Sequence, residues 1–466
     1  MIGSGTLTKT VAGHLARTGY EALNDGAIRS TKEHILYTLG TILAGSSAPG
    51  ATEVLTAARK FGGGQESTAL VYGDKLSAPS AALANATMGH SRELDINDDR
   101  IAYKSSVAAI PAVLALAEKS GRVSGKDVLT AVCVGVDFGI RLGLAINPKP
   151  AHAQAIALGP LAAAVACGKI LGLDEAGLWN ALGIAYCRVS FTGNSTASPS
   201  LTKRLGIGFA SQSGVLAALL ASAGFPAAGE ILQGSAGFFQ TFYGQEGDYQ
   251  VILDQLGNRF EIVCVGPKPF PSCRYTHPAV TGVLSLLREH SINADDIREV
   301  RVQIGERDMR SVGGWSDEEK KKKYRPEGVV DAQFSIPFTV AATLVNRRLS
   351  LEEFTDAALR SERILSVASR VSPIFDRTLD DWPANVKPQI VEIETNDRHV
   401  FTIRVDYPKG NPRNPITSDE LVDSFRDMAN YSARPLDRAK IDETVEAIFG
   451  LEKAEDVSIV ARLLTA

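Results

Sequence analysis

Three stretches in the first 150 residues, IRSTKEHILYTLGTILAG, SVAAIPAVLALAEKSG and GKDVLTAVCVGVDFGIRLGLAI, carry apolar side chains at helical spacing and stop near Gly or Pro. That period predicts helices with one or more buried faces. In SGKDVL, Ser124 is placed to cap a helix, with Asp127 in the capping-box position. Ala and Gly crowd ALGPLAAAVACGKILGL and positions 208–224. Small side chains let helix axes approach closely, so the pattern up to about residue 260 predicts a tightly packed helical bundle.

After Lys268 the period changes. DIREVRVQIGE (296–306) alternates apolar and charged residues, as do QIVEIET and HVFTIRVDY (389–407), the last two reading as a hairpin around Asn396 and Asp397. Helical patterns lie between them, around 333–347 and 350–371, and amphipathic helices return in SDELVDSFRDMANY and IDETVEAIFGL. The expected fold is mainly α: a large all-helical domain (1–265), a smaller inserted α+β domain (266–405), and a helical segment (406–466) returning to the first domain.

Composition narrows the function classes. Hydrophobic residues at 44% and charged residues at 22% describe an ordinary globular chain, and 466 residues suffice for two domains. A net charge of −4 with dispersed Lys and Arg gives no global attraction for nucleic acid. The one basic run, EEKKKKYR (318–325), reads as a solvated loop or helix end. Leu205 to Gly229 carries no charge and is long enough to span a bilayer, yet its Ser, Gln, Gly and Pro residues favour a buried core helix, so no membrane partner is expected. Five cysteines without a C-x-x-C pair, and no secretion-type opening, point to a reducing cytoplasm, with Cys133, Cys167 and Cys187 as small core residues. No phosphate-loop motif, H-x-x-x-H pair or calcium-loop pattern is present, so neither a nucleotide nor a metal is expected.

One segment concentrates chemistry. KPFPSCRYTHP (268–278) places Lys268, Cys273, Arg274, Tyr275 and His277 among prolines. Pro269 and Pro271 forbid a regular helix, whereas Pro278 suits the first turn of a new one. Cationic donors on a stiff loop and at a helix N-terminus suit an anionic substrate. Taken alone, the same segment fits a solvated connection equally well.

The segment resembles the Lys-Pro-x-Pro-x-Cys-x-x-x-His signature of the MmgE/PrpD family, which includes 2-methylcitrate dehydratases, cis-aconitate decarboxylases and iminodisuccinate epimerase. Three more stretches resemble that family in the same order: AALANATMGHSRELD (81–95), LTKRLGIGFASQSGVLAALLASAGF (201–225) with ILQGSAGFFQTF (231–242), and DAQFSIPFTVAATLV (331–345). YPKGNPRNPITSDEL (407–421) resembles the family's tail. The resemblance implies a helical and an α+β domain meeting at a cleft, a homodimer formed through the helical domain, a small polycarboxylate substrate and no cofactor.

It also implies site residues. Lys203 and Lys268 match catalytic lysines, His90 an early His, and Glu93 and Asp95 the acidic positions. A later His-Pro of the family is absent, and Tyr103 or Lys104-Ser105 stands in its place. Lys104 there could bind a carboxylate or transfer a proton. His152 in KPAHAQAIALGP matches a family His loosely. Expected catalytic residues are thus Glu93, Asp95, Lys104, His152, Lys203 and Lys268, with His90, Tyr103, Arg204, Arg274 and His277 contacting substrate. Such a set suits a dehydratase-like lyase, in which fixed cations stabilise an enolate-like dianion. Epimerisation or decarboxylation of a related acid shares that need, and a carboxylate-binding relative without catalysis is the remaining alternative.

Overall fold

The computed structural model describes residues 7–101, 103–146, 154–190 and 201–465. Long helices dominate its first part: Asp25–Ser46, Ala78–Gly89, Ser106–Ser120, Gly125–Leu144, Gln154–Ile170 and Thr202–Ser222. Their starts are chemically marked. Asn24 accepts a hydrogen bond from the Ala27 amide at 2.9 Å and Ser124 one from the Asp127 amide at 3.2 Å. The abundance of small residues is used for close approach. A Cβ on Gly214 would lie 2.3 Å from the Ala163 Cβ, and one on Gly208 would lie 2.2 Å from the Thr87 Oγ1. The Thr202–Ser222 helix is therefore wedged against its neighbours, although its length and apolarity would suffice to cross a membrane.

A short antiparallel hairpin, β1 (Ser67–Ala69) with β2 (Asp74–Leu76), interrupts the helices, where the sequence pattern gave only helix. The second part carries a four-stranded mixed sheet in the order β4-β3-β5-β6. β3 (Ile297–Ile304) and the hairpin of β5 (Gln389–Thr395) and β6 (Val400–Val405) follow the alternation expected from sequence. β4 (Val371–Phe375), which pairs parallel with β3, was not anticipated; the helical expectation for 350–371 is met by the short helices Leu351–Phe354, Asp356–Leu359 and Glu362–Ala368 that precede it. Pro373 sits in that strand and hides it from a sequence reading, and the structure tolerates it because β4 is the sheet edge. Helix His277–Glu289 covers one face, its Gly282 lying against Val391, Ile403 and Val405.

The sheet part has its own buried cluster, running from Phe270 to Ile393. Leu421, Phe425, Met428, Ile441 and Ile448, by contrast, belong to the cluster built from Leu7, Ile35, Leu36 and Val132. The chain thus packs its last helices against the first ones. One smaller expectation is corrected and another is sharpened. Cys187 is exposed, because it lies past the last turn of the Glu175–Tyr186 helix, whereas Cys133 and Cys167 are buried. The basic run forms a capped helix, Asp317–Tyr324, from which Lys323 turns inward to the carbonyls of Ser311 (2.8 Å) and Phe334 (2.6 Å).

Candidate active site

The Ala78–Gly89 helix ends at His90, and the acid-rich chain that follows is buried as far as Asp99 apart from Arg92. At Glu93 the backbone turns back on itself with φ of 55°, a left-handed conformation that costs a β-carbon residue on the order of 1 kcal/mol. That turn delivers the Glu93 carboxylate to the seam between the two parts of the molecule. Lys203, in the first turn of the Thr202–Ser222 helix, donates to its Oε1. Lys268, arriving from the sheet side, places Nζ 3.5 Å from Glu93 Oε2, 3.9 Å from Asp95 Oδ2 and 3.5 Å from the Ser272 carbonyl. The Lys203 ammonium also lies 4.9 Å over the ring of Phe334, a cation–π contact from the α+β side.

Local sequence explains the placement of Lys268. Pro269 and Pro271 keep residues 265–273 out of regular helix, and the Tyr37 hydroxyl donates to the Lys268 carbonyl. Asn97 donates its amide to the Gly266 carbonyl at 3.2 Å, tying the acidic loop to the same segment. The side chain of Lys268 is then committed inward, with 1% of its surface exposed.

The electrostatics follow from burial and company. Burial pushes the Glu93 carboxyl up, but Lys203, Lys268, Lys104 and His90 together hold it well below the usual carboxylate range. Burial likewise opposes ionisation of Asp95, and His90, Lys268 and Lys104 overcome it. Burial draws Lys268 down to about 8, against the support of Glu93 and Asp95 and with the help of Lys104 and Lys203. Lys104, half-buried, feels the same desolvation, yet Glu93 and Asp95 raise it on balance. Burial lowers His90 despite the support of Asp95 and so favours the uncharged ring. Its Nδ1 then donates to Asp95 Oδ1 at 2.7 Å, which leaves Nε2 as the acceptor nitrogen. Asp95 Oδ2 is buried without a hydrogen-bond partner among the described residues. Three ammonium groups thus face two carboxylates, a surplus of positive charge in which an anionic ligand is welcome.

The remaining expected residues are placed differently. Arg274 gives its guanidinium to Asp99 in a two-pronged pair (2.7 and 2.8 Å) and to the Lys409 carbonyl at 2.9 Å. It clamps the domains together, since Asp99 lies in the acidic loop, and four of its five N–H donors are taken up by protein. His277 is fully buried behind Lys268, its Nε2 3.4 Å from the Ser272 carbonyl and its Nδ1 3.0 Å from Arg274. Burial and then the Arg274 charge hold its ring well below the ordinary imidazole range. Tyr103 points into the helical core, where a Cβ on Gly139 would lie 2.7 Å from its hydroxyl. Arg204 donates to the Pro49 carbonyl at 3.0 Å. His152 lies outside the described residues. Sequence reasoning did not single out Gln333 or Phe334, which the structure brings to the same knot from within DAQFSIPFTV. Their only signal was membership of a recognised stretch.

An open groove of about 710 Å³ is lined by Pro269, Phe270, Lys409 and Glu420 and by none of the clustered charges. The site is therefore located by the convergence of ionisable groups and not by the size of a cavity. Among the described residues no three His, Cys, Asp or Glu side chains come together as metal ligands.

Comparison with known proteins agrees with the four recognised stretches. Residues 9–250 match the model of the MmgE/PrpD N-terminal domain and residues 270–448 that of the MmgE/PrpD C-terminal domain. The chain is 29% identical to cis-aconitate decarboxylase of Aspergillus terreus over 415 residues, covering 84% of this chain and 82% of that protein. It is 27% identical to cis-aconitate decarboxylase of Homo sapiens, covering all of this chain and 95% of the other, and equally to that of Mus musculus over 98% and 93%.

Proposed function

Because the chain belongs to the MmgE/PrpD family, we propose that it is a lyase that decarboxylates a small unsaturated tricarboxylic acid of the cis-aconitate type. The observation that carries this reading is the meeting of Lys203 and Lys268, from opposite sides of the domain seam, on one carboxylate. The Glu93 carboxylate occupies the position between two ammonium groups that a substrate carboxylate would share or take over. Loss of CO2 breaks one C–C bond and leaves an electron pair, which spreads through the neighbouring C=C bond toward a remaining carboxylate. The resulting enolate-like dianion is what Lys203 and Lys104 stabilise, in a site where water competes poorly. A proton must then reach carbon. Lys268, drawn down to about 8, is a stronger acid than an ordinary lysine while still charged at neutral pH, and it serves as the donor. The His90 ring is fixed by its 2.7 Å hydrogen bond to Asp95, and a proton from solvent restores Lys268 after each turnover.

Dehydration of a β-hydroxy tricarboxylate needs the same cations plus a base beside the carbon, and the His90 Nε2 is the observation that keeps this second reading in play. Purified protein is incubated with cis-aconitate, citrate, 2-methylcitrate and iminodisuccinate. The expected result is CO2 release from cis-aconitate. New absorbance from a conjugated double bond with a hydroxy acid, and no CO2 from cis-aconitate, would replace decarboxylation by dehydration. Turnover of none, with binding retained, would make the protein a carboxylate binder.

A further inference from the structure

Gln333 ends the short Val329–Gln333 helix of the α+β part and is 1% exposed. Its carboxamide nitrogen carries two hydrogens, and two carbonyls receive them: Pro271 at 2.9 Å and Arg92 at 3.2 Å. Those partners also fix the orientation of the amide, because its oxygen in that place would face two other oxygens. The Gln333 backbone carbonyl accepts from the Cys273 amide at 2.9 Å, so the residue grips the 268–278 loop twice.

The two carbonyls are not arbitrary. That of Arg92 belongs to the peptide unit leading into Glu93, the residue held at φ of 55°. That of Pro271 precedes Ser272, whose own carbonyl stands 3.5 Å from the Lys268 Nζ. One side chain, 241 residues from the first partner and 62 from the second, therefore ties the peptide unit entering Glu93 to the loop that carries Lys268. The geometry assigns Gln333 as a positioning residue: it sets the separation between the Glu93 carboxylate and the Lys268 ammonium across the domain seam. This rests on the reading that these two groups form the site, and adds a residue that touches neither charged group.

The consequence has a sign. Glu93 supports the positive charge on Lys268, so letting the two drift apart lets desolvation dominate, and Lys268 titrates at lower pH. The full chain labelled with 13C at lysine Cε is titrated by NMR, the Lys268→Met spectrum assigning the resonance. Gln333→Met keeps the volume and removes both donors. It is expected to move the Lys268 midpoint down by about half a pH unit, on the scale of one weakened ionic contact. Gln333→Asn keeps two donors on a shorter stem and gives a smaller shift in the same direction. The resonance of exposed Lys321 stays put in both. In turnover of cis-aconitate, kcat falls on the order of tenfold with KM little changed. A wild-type midpoint in the folded variants overturns the assignment; if Gln333→Met does not fold, Gln333→Asn decides. Because the titration needs no substrate, an unchanged midpoint alongside an inactive Lys268→Met sinks the positioning role alone. An active Lys268→Met sinks the site reading instead.

Discussion

Replacing Lys268 by Met tests the site most directly, since the two side chains are close in length and differ chiefly in charge. In the native protein the ammonium is 1% exposed and stands 3.5 Å from Glu93 and 3.9 Å from Asp95. At an effective dielectric constant of about 20, a charge pair at that shorter distance interacts by on the order of 5 kcal/mol, much of it offset by desolvation. Removing one partner leaves the carboxylates buried with less compensation, so a stability loss of about 3–5 kcal/mol is expected whether or not Lys268 has a role in turnover. Stability and catalysis must therefore be separated. A charge-assisted bond to a substrate carboxylate contributes about 1.5–3 kcal/mol, or roughly tenfold to a hundredfold in kcat/KM. Loss of a proton donor adds a further factor of about 10²–10⁴. The double variant Glu93→Gln/Lys268→Met removes the orphaned charge and should regain much of the melting temperature without regaining activity. Thermal melts and CO2 release are measured for both, with Lys321→Met as control on the exposed face of the basic helix. Lys203→Met, whose side chain is 20% exposed, should lose activity with a smaller change in stability. If the folded Lys268→Met and Lys203→Met proteins turn over substrate as the control does, or if the double variant recovers activity with stability, the two lysines are structural and the site lies elsewhere.

Asp308 offers a pH test remote from the clustered charges. It is fully buried, its Oδ1 lacks a hydrogen-bond partner among the described residues, and burial lifts its carboxyl to about 7 against Gln389, Arg307 and Lys387. Its folded value lies above the unfolded one, so its contribution is fully present below about pH 4 and is lost as pH rises through about 7. Asp308→Asn should raise the melting temperature more at pH 8 than at pH 5, where only part of the penalty is present; an equal change at the two pH values contradicts this. The homodimer implied by the family would use the apolar side chains left exposed along the Thr202–Ser222 helix, Phe209 (46%) and Leu220 (43%), with Phe225 (55%) beyond its end. Light scattering should give twice the 49.6 kDa chain mass for the native protein and the single mass for Phe209→Asp, and a monomeric native protein refutes it. Turnover is expected to survive exhaustive chelation; loss of activity restored by a divalent ion would reverse that expectation.

The sequence by itself settled what depends on local periodicity and on one signature. The helices of the first part, the alternation of β3, β5 and β6, and the stiff loop before Pro278 all follow from side-chain spacing and from proline's fixed φ. Glu93, Asp95, Lys203 and Lys268 were nameable because they sit in stretches that resemble a family, though spacing alone favoured solvated charges for most of them. Tertiary structure decided the rest. β4 contains a proline that only an edge position makes tolerable, and no local pattern reveals where an edge will be. Arg274 looked like a substrate ligand because a free guanidinium on a loop suits an anion, but Asp99, 175 residues away, takes it. Tyr103 went to the core for a similar reason: the space above Gly139 exists only after two distant helices pack. Gln333 carries no charge and no motif chemistry of its own. Its importance comes from the two carbonyls that folding brings to its one amide nitrogen, and a contact between residues 241 apart in the chain has no signature in either neighbourhood.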